Sequence, residues 1–121
     1  APTYMYLLTW ESAGEGGGLG ATHGLEVPLV MHNLDTSPFR RVVHGPDPTP
    51  ERLAEAERIS DAMSDACVAF ARGADPNHAG LPAWPVYTPE ARATMIFDRE
   101  CRVEHDPFGG ERQAWEGVPL R

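Results

Sequence analysis

The chain has 121 residues, 41% of them hydrophobic and 23% charged, with a net charge of −8 and a pI near 5.0. That length suits one domain burying roughly two-thirds of its unfolded surface. The acidic balance disfavours nucleic acid and anionic membrane as partners, because both ask for a basic face.

The apolar runs fall far short of the ~20 residues a bilayer span needs, so no membrane span is expected. The opening Ala1-Pro2-Thr3-Tyr4-Met5-Tyr6 has no basic region or cleavage site of a signal peptide. With no initiator Met and a strand starting almost at once, the chain reads as beginning in the middle of a fold.

Tyr4 to Trp10 is a short, nearly continuous apolar run rich in aromatics, the pattern of a strand buried on both faces in a parallel sheet. Such a strand needs neighbours on both sides, and only weak later strands are on offer. Glu11 to Gly20 follows with five glycines and reads as a loop of permissive backbone. Two false leads lie in it. Gly16 to Gly20 resembles a phosphate loop, but no Lys-Ser/Thr and no helix pattern follow. Glu11-Ser12-Ala13-Gly14 resembles the end of a G-x-S-x-G nucleophile elbow, but Trp10 replaces the first glycine and the segment runs into more glycine instead of a helix. Ser12 is therefore not read as a nucleophile.

Gly24 to Met31 is expected to be a turn or a brief helix stopping at Pro28. The Pro-rich stretch His44 to Pro50 excludes regular structure and leads into the clearest helix, Glu51 to Arg72. Thr49 is the expected N-cap, Pro50 suits the first helical position, and Gly73 is the expected stop. Leu53, Ala56, Ile59, Met63, Cys67 and Phe70 form its apolar stripe. Glu51, Arg52, Glu55, Arg58, Asp61 and Asp65 are expected to face away. Cys67 reads as a small core residue, and nothing supports a disulfide to Cys101. Ala74 to Pro89 is a polar, Pro-containing loop. Ala93 to Asp98 reads as a strand, Cys101 to His105 as its hairpin arm, and a last turn is expected around Trp115.

The candidate functional stretch is Leu19 to Asp35. It presents His23 with Gly24 behind it and Glu26 three residues on. A histidine beyond the C-terminal end of a strand stands where α/β enzymes place catalytic side chains. An imidazole, with an ordinary pKa of about 6.5, is suited to moving a proton near neutral pH. His32, His44, His78 and His105 show no metal-like spacing with one another or with cysteine, so neither a metal site nor a cofactor is expected.

Taken together, the ordered landmarks resemble the type B carboxylesterases, the α/β-hydrolase family that includes bacterial p-nitrobenzyl esterases and the cholinesterases. The landmarks are Tyr4 to Gly20, Gly20-Ala-Thr-His-Gly-Leu-Glu-Val-Pro-Leu-Val30, Met63, Phe70-Ala-Arg-Gly73, Asp75-Pro-Asn77, Leu81-Pro-Ala-Trp-Pro-Val-Tyr87, Ala93-Thr-Met-Ile-Phe97, Arg112 and Trp115. The resemblance covers nearly the whole chain. It departs where the family commonly has Phe-Gly-Asn and this chain has Met31-His32-Asn33.

The resemblance implies an α/β fold, with residues 1–121 forming an incomplete domain, the C-terminal segment of an α/β-hydrolase. Family members are several times longer, and their G-E-S-x-G elbow, oxyanion-hole glycines and acidic triad member lie upstream. Carried over, His23 is the triad base. Glu26 has a supporting role beside it, and Asp35 is a weaker acid candidate. The implied substrates are small or hydrophobic carboxylic esters, and the implied partner is the N-terminal remainder of the same hydrolase. The chain alone is expected to be inactive. The rival expectations are a non-catalytic cholinesterase-like interaction module and a free-standing small domain of other function.

Overall fold

The computed structural model describes residues 1–119. Its elements are β1 (Met5–Leu8), α1 (Glu26–Val30), α2 (Phe39–His44), α3 (Pro50–Gly73), β2 (Ala93–Phe97), β3 (Arg102–His105) and α4 (Gly109–Ala114), with a tight turn at Gly14–Gly17. The strands form one sheet in the order β1-β2-β3. β1 runs parallel to β2, pairing Met5 with Thr94 and Leu8 with Phe97. β3 returns antiparallel, pairing Ala93 with His105 and Ile96 with Arg102. The long connection between β1 and β2 carries α1, α2 and α3, as a parallel pair requires.

β2 is the central strand and every one of its residues is buried, which accounts for a run that is apolar except for Thr94. β1 departs from the expectation of a strand buried on both faces. Among the described residues it pairs only with β2, and Met5 and Tyr6 are each more than two-fifths exposed. Its sequence asks for more neighbours than these residues supply.

α3 covers the sheet. Ala56, Ile59, Met63 and Ala66 join Leu25, Leu29, Trp84 and Phe97 in the core. Aromatic rings link the layers edge to face: Tyr4 to Trp84 and Trp84 to Phe97, each at 5.9 Å between centroids. Pairs of this kind contribute about 0.5–1.5 kcal/mol beyond the area they bury. The N-cap is as expected: the Thr49 hydroxyl accepts from the Arg52 backbone N–H at 3.2 Å, with Pro50 at the first position.

Four details of the helices differ from expectation. The stripe extends through Ala62 and Ser60, while Leu53, Cys67 and Phe70 lie at the surface; Cys67 is thus an exposed free thiol and not a core residue. Over 24 residues the 3.6-residue period carries the ends of a straight stripe away from a small sheet. The stop falls one residue late, because Ala74 and not Gly73 takes the left-handed cap position (φ 57°). α1 runs through Pro28, since a proline in the first turn lacks only an N–H that would have no helical partner. Finally, Arg52 and Glu55 are half-buried, not solvent-facing.

The loop after α3 is held by Asn77, whose side-chain amide copies a strand rung. Its Nδ2 donates to the Trp84 carbonyl (2.9 Å) and its Oδ1 accepts from the Trp84 N–H (2.7 Å). The Tyr87 N–H then donates to the Thr3 carbonyl at 2.8 Å, tying the loop to the start of β1. At the far end Arg112 grips Asp106 with two nitrogens, Nε at 3.0 Å and Nη2 at 2.9 Å, and Arg92 Nε approaches it to 3.3 Å. No helix among the described residues is long and apolar enough to cross a membrane.

Candidate active site

The region of interest lies beyond the C-terminal ends of the parallel pair. There the Thr9 and Trp10 N–H groups both donate to the Phe97 carbonyl (3.0 and 3.3 Å), and Thr9 Oγ1 donates to Asp98 Oδ2 (2.6 Å). The chain then leaves the sheet through Trp10, which is 1% exposed. The Arg52 guanidinium stacks 3.5 Å above the Trp10 ring. Its Nε and Nη2 donate to the Val43 carbonyl (3.0 and 2.6 Å), and Nη2 also reaches the Glu11 carbonyl (2.8 Å). One side chain of α3 therefore fastens the exit of β1 to the end of α2. Sequence patterning placed Arg52 on the water side. Its role depends on carbonyls from two distant segments, which no helical period reports.

The glycine-rich loop is a closed ring. The Ser12 N–H donates to the Gly20 carbonyl at 2.9 Å, while the buried Ser12 hydroxyl donates to the Val42 carbonyl (2.6 Å) and accepts from the Gly14 N–H (2.9 Å). Between them Glu15 (φ 50°) and Gly16 (φ 67°) both take left-handed conformations, which turns the chain back. Ser12 is 2% exposed, and its hydroxyl proton is held by a backbone carbonyl. That agrees with its exclusion as a nucleophile.

The ring delivers His23. The Thr22 N–H returns to the Gly20 carbonyl (2.9 Å), the Leu25 N–H to Thr22 (3.2 Å) and the Val27 N–H to Gly24 (3.2 Å). Gly24 stands at φ 82°, a backbone that few side chains accept. Leu25 is fully buried and anchors the turn to the core. His23 itself is exposed. It is thus a solvent-facing imidazole between a closed loop and a buried anchor, a placement that limits wandering without hiding the ring.

The other candidates are dispersed. Glu26 is the first residue of α1 and half-buried; its charge, after burial itself, helps to raise the pKa of the Tyr6 phenol. Asp35 lies beside Arg40 (3.9 Å) and His44 (3.6 Å). Among the described residues neither carboxylate is hydrogen-bonded to His23. His44 is 3% exposed, and burial pushes its pKa down. His78 accepts from the Gly80 N–H at Nδ1 (3.1 Å), which leaves Nε2 to donate to the Ala62 carbonyl (3.1 Å). It is a strut between loop and helix. His32 is exposed and meets two carboxylates of α3. A polar cavity of about 420 Å³ also opens at the strand ends, lined by Thr9, Glu11, Ser12, Arg52, Asp98 and Arg99.

α/β enzymes carry functional side chains on loops beyond the C-terminal ends of their parallel strands. No family model matches the chain. It is 32% identical over 119 residues to the para-nitrobenzyl esterase of Bacillus subtilis (strain 168), covering 93% of this chain and 21% of that protein. It is 31% identical over 106 residues to the phenmedipham hydrolase of Pseudarthrobacter oxydans, covering 87% and 20%. Among solved structures, the carboxylesterase EST55 of Geobacillus stearothermophilus superposes with a TM-score of 0.77 at 40% identity, covering 95% of this chain and 22% of that one. The fold is that of the α/β-hydrolase esterases. The chain is a homologue of the para-nitrobenzyl esterases and carboxylesterases of type B, and it spans about a fifth of the length of the curated relatives it matches.

Proposed function

We propose that residues 1–121 are the C-terminal segment of a carboxylic-ester hydrolase and that His23 is its catalytic base. The observation that carries the reading is the 31–40% identity to esterases across nearly the whole chain, with the Gly20 to Val30 motif on a loop leaving the sheet. In this scheme a serine from the remainder of the protein attacks the ester carbonyl, and His23 takes its proton at one ring nitrogen. The same imidazole then returns a proton to the departing alcohol, leaving an acyl-serine that water hydrolyses by the reverse assignment. A carboxylate, also from the remainder, holds the other ring nitrogen and fixes the tautomer. Glu26 supports the histidine turn at the head of α1. The substrates are small or hydrophobic esters.

The buried, doubly bonded Ser12 supports placing the nucleophile elsewhere, and with it the expectation that the 121-residue chain alone turns over no ester. The test is labelling of the native protein with a fluorophosphonate, followed by intact-mass measurement, in parallel with His23→Ala. The label is expected on a serine outside residues 1–121. The variant is expected to keep its circular dichroism spectrum and lose at least about 10⁴-fold in kcat. A folded variant with near parental turnover overturns the assignment of His23. Absence of any reactive serine favours a non-catalytic interaction module.

A further inference from the structure

His32 follows α1 in a position usually reserved for glycine. The Asn33 N–H donates to the Pro28 carbonyl (2.8 Å) and the His32 N–H to the Leu29 carbonyl (3.3 Å), the paired bonds of a Schellman cap. The residue between cap and exit must then be left-handed, and His32 stands at φ 49°. For a non-glycine residue that backbone is strained. It aims the ring at α3. Nε2 lies 2.9 Å from Asp61 Oδ1 and 3.5 Å from Glu57 Oε2, two carboxylates one helical turn apart.

Two carboxylates converging on one imidazole nitrogen leave the trio negative whether or not the ring is protonated, in a chain already at −8. The three donor atoms lie within 4.8 Å of one another. Ligands about 2.0–2.2 Å from a zinc ion stand about 3–3.5 Å apart, depending on the coordination angle. Nε2 to Glu57 at 3.5 Å fits that spacing, Nε2 to Asp61 at 2.9 Å is just inside it, and the third pair lies within 4.8 Å.

We propose that His32, Glu57 and Asp61 form a surface site for a borderline divalent transition metal, Zn²⁺ being the representative ion, which cross-links the end of α1 to α3. The imidazole selects against Mg²⁺ and Ca²⁺, which prefer all-oxygen sets. All three ligands are exposed, so water completes the coordination. Sequence spacing gives no sign of the site, because His32 and the carboxylates are brought together only by the packing of α1 on α3.

The test is calorimetric titration of ZnCl₂ into the chelator-treated native protein, with MgCl₂ as control, together with thermal melts at each metal concentration. One Zn²⁺ equivalent is expected, with a metal-dependent rise in Tm. His32→Gly and Asp61→Asn are each expected to weaken that site at least tenfold and remove the rise. His32→Gly also relieves the left-handed strain, so it is expected to remain folded and stable without metal. The proposal is overturned if no Zn²⁺ binds, if both variants bind it as the parent does, or if Mg²⁺ competes equally, which would mark a mere acidic patch.

Discussion

Replacing Arg52 by methionine keeps most of the side-chain volume and deletes the fastening between α3, the β1 exit and α2. Three hydrogen bonds vanish, two of them to the Val43 carbonyl and one to that of Glu11, along with the stack on Trp10. Glu11 is exposed, so water replaces the bond to its carbonyl. Val43 is 0% exposed, and leaving its carbonyl without a donor costs about 1–3 kcal/mol. Loss of the cation–π contact adds about 1 kcal/mol. Against this, the half-buried guanidinium no longer has to be desolvated, the cost that also lowers the pKa of Arg52. The expected net loss is about 2 kcal/mol once that relief is set against the two losses, read from denaturant unfolding of the native protein followed by tryptophan fluorescence. Arg58→Met, at an exposed position of the same helix, is the control and should stay within about 0.5 kcal/mol of the parent. Because the fastened segment leads into the His23 loop, ester turnover should also fall in Arg52→Met. A variant matching the control in stability would refute the role assigned to this residue.

Ser12→Ala strips a buried N–H and a part-buried carbonyl of their partner and should cost about 2 kcal/mol, while folded material keeps ester turnover within a few-fold of the parent. A folded but inactive Ser12→Ala would show that this hydroxyl takes part in the chemistry. Asp106 has its pKa lowered chiefly by its hydrogen bonds with Arg112, then by the Arg112 and Arg92 charges. A carboxylate whose folded pKa is depressed stabilises fully above its unfolded value, about 4, and the contribution disappears as the pH falls toward the folded value. Asp106→Asn should therefore lower stability at neutral pH and flatten its fall below about pH 4. An acid limb identical to the parent's would contradict that linkage.

The sequence by itself determined the elements whose signals are local. The capped start of α3 at Thr49 and Pro50, the apolar β2 and its return arm, and the presence of a glycine-rich loop after β1 all follow from neighbouring residues whose conformational preferences agree. The ordered motifs around His23, Asn77, Trp84 and Met95 also carried the esterase relationship, because each is a short run that survives translation into a pattern. What only the tertiary structure decided involves residues far apart in sequence. The hydrophobic stripe named Cys67 and Phe70 as core, but it cannot say where a small sheet ends beneath a long helix. The helical period put Arg52 in water, whereas the carbonyls of Val43 and Glu11 drew it inward. His32 looked isolated until α1 set it against Glu57 and Asp61. Local conformational energies are written in adjacent residues, but hydrogen bonds and charge pairs between distant segments exist only once packing has brought those segments within a few ångströms.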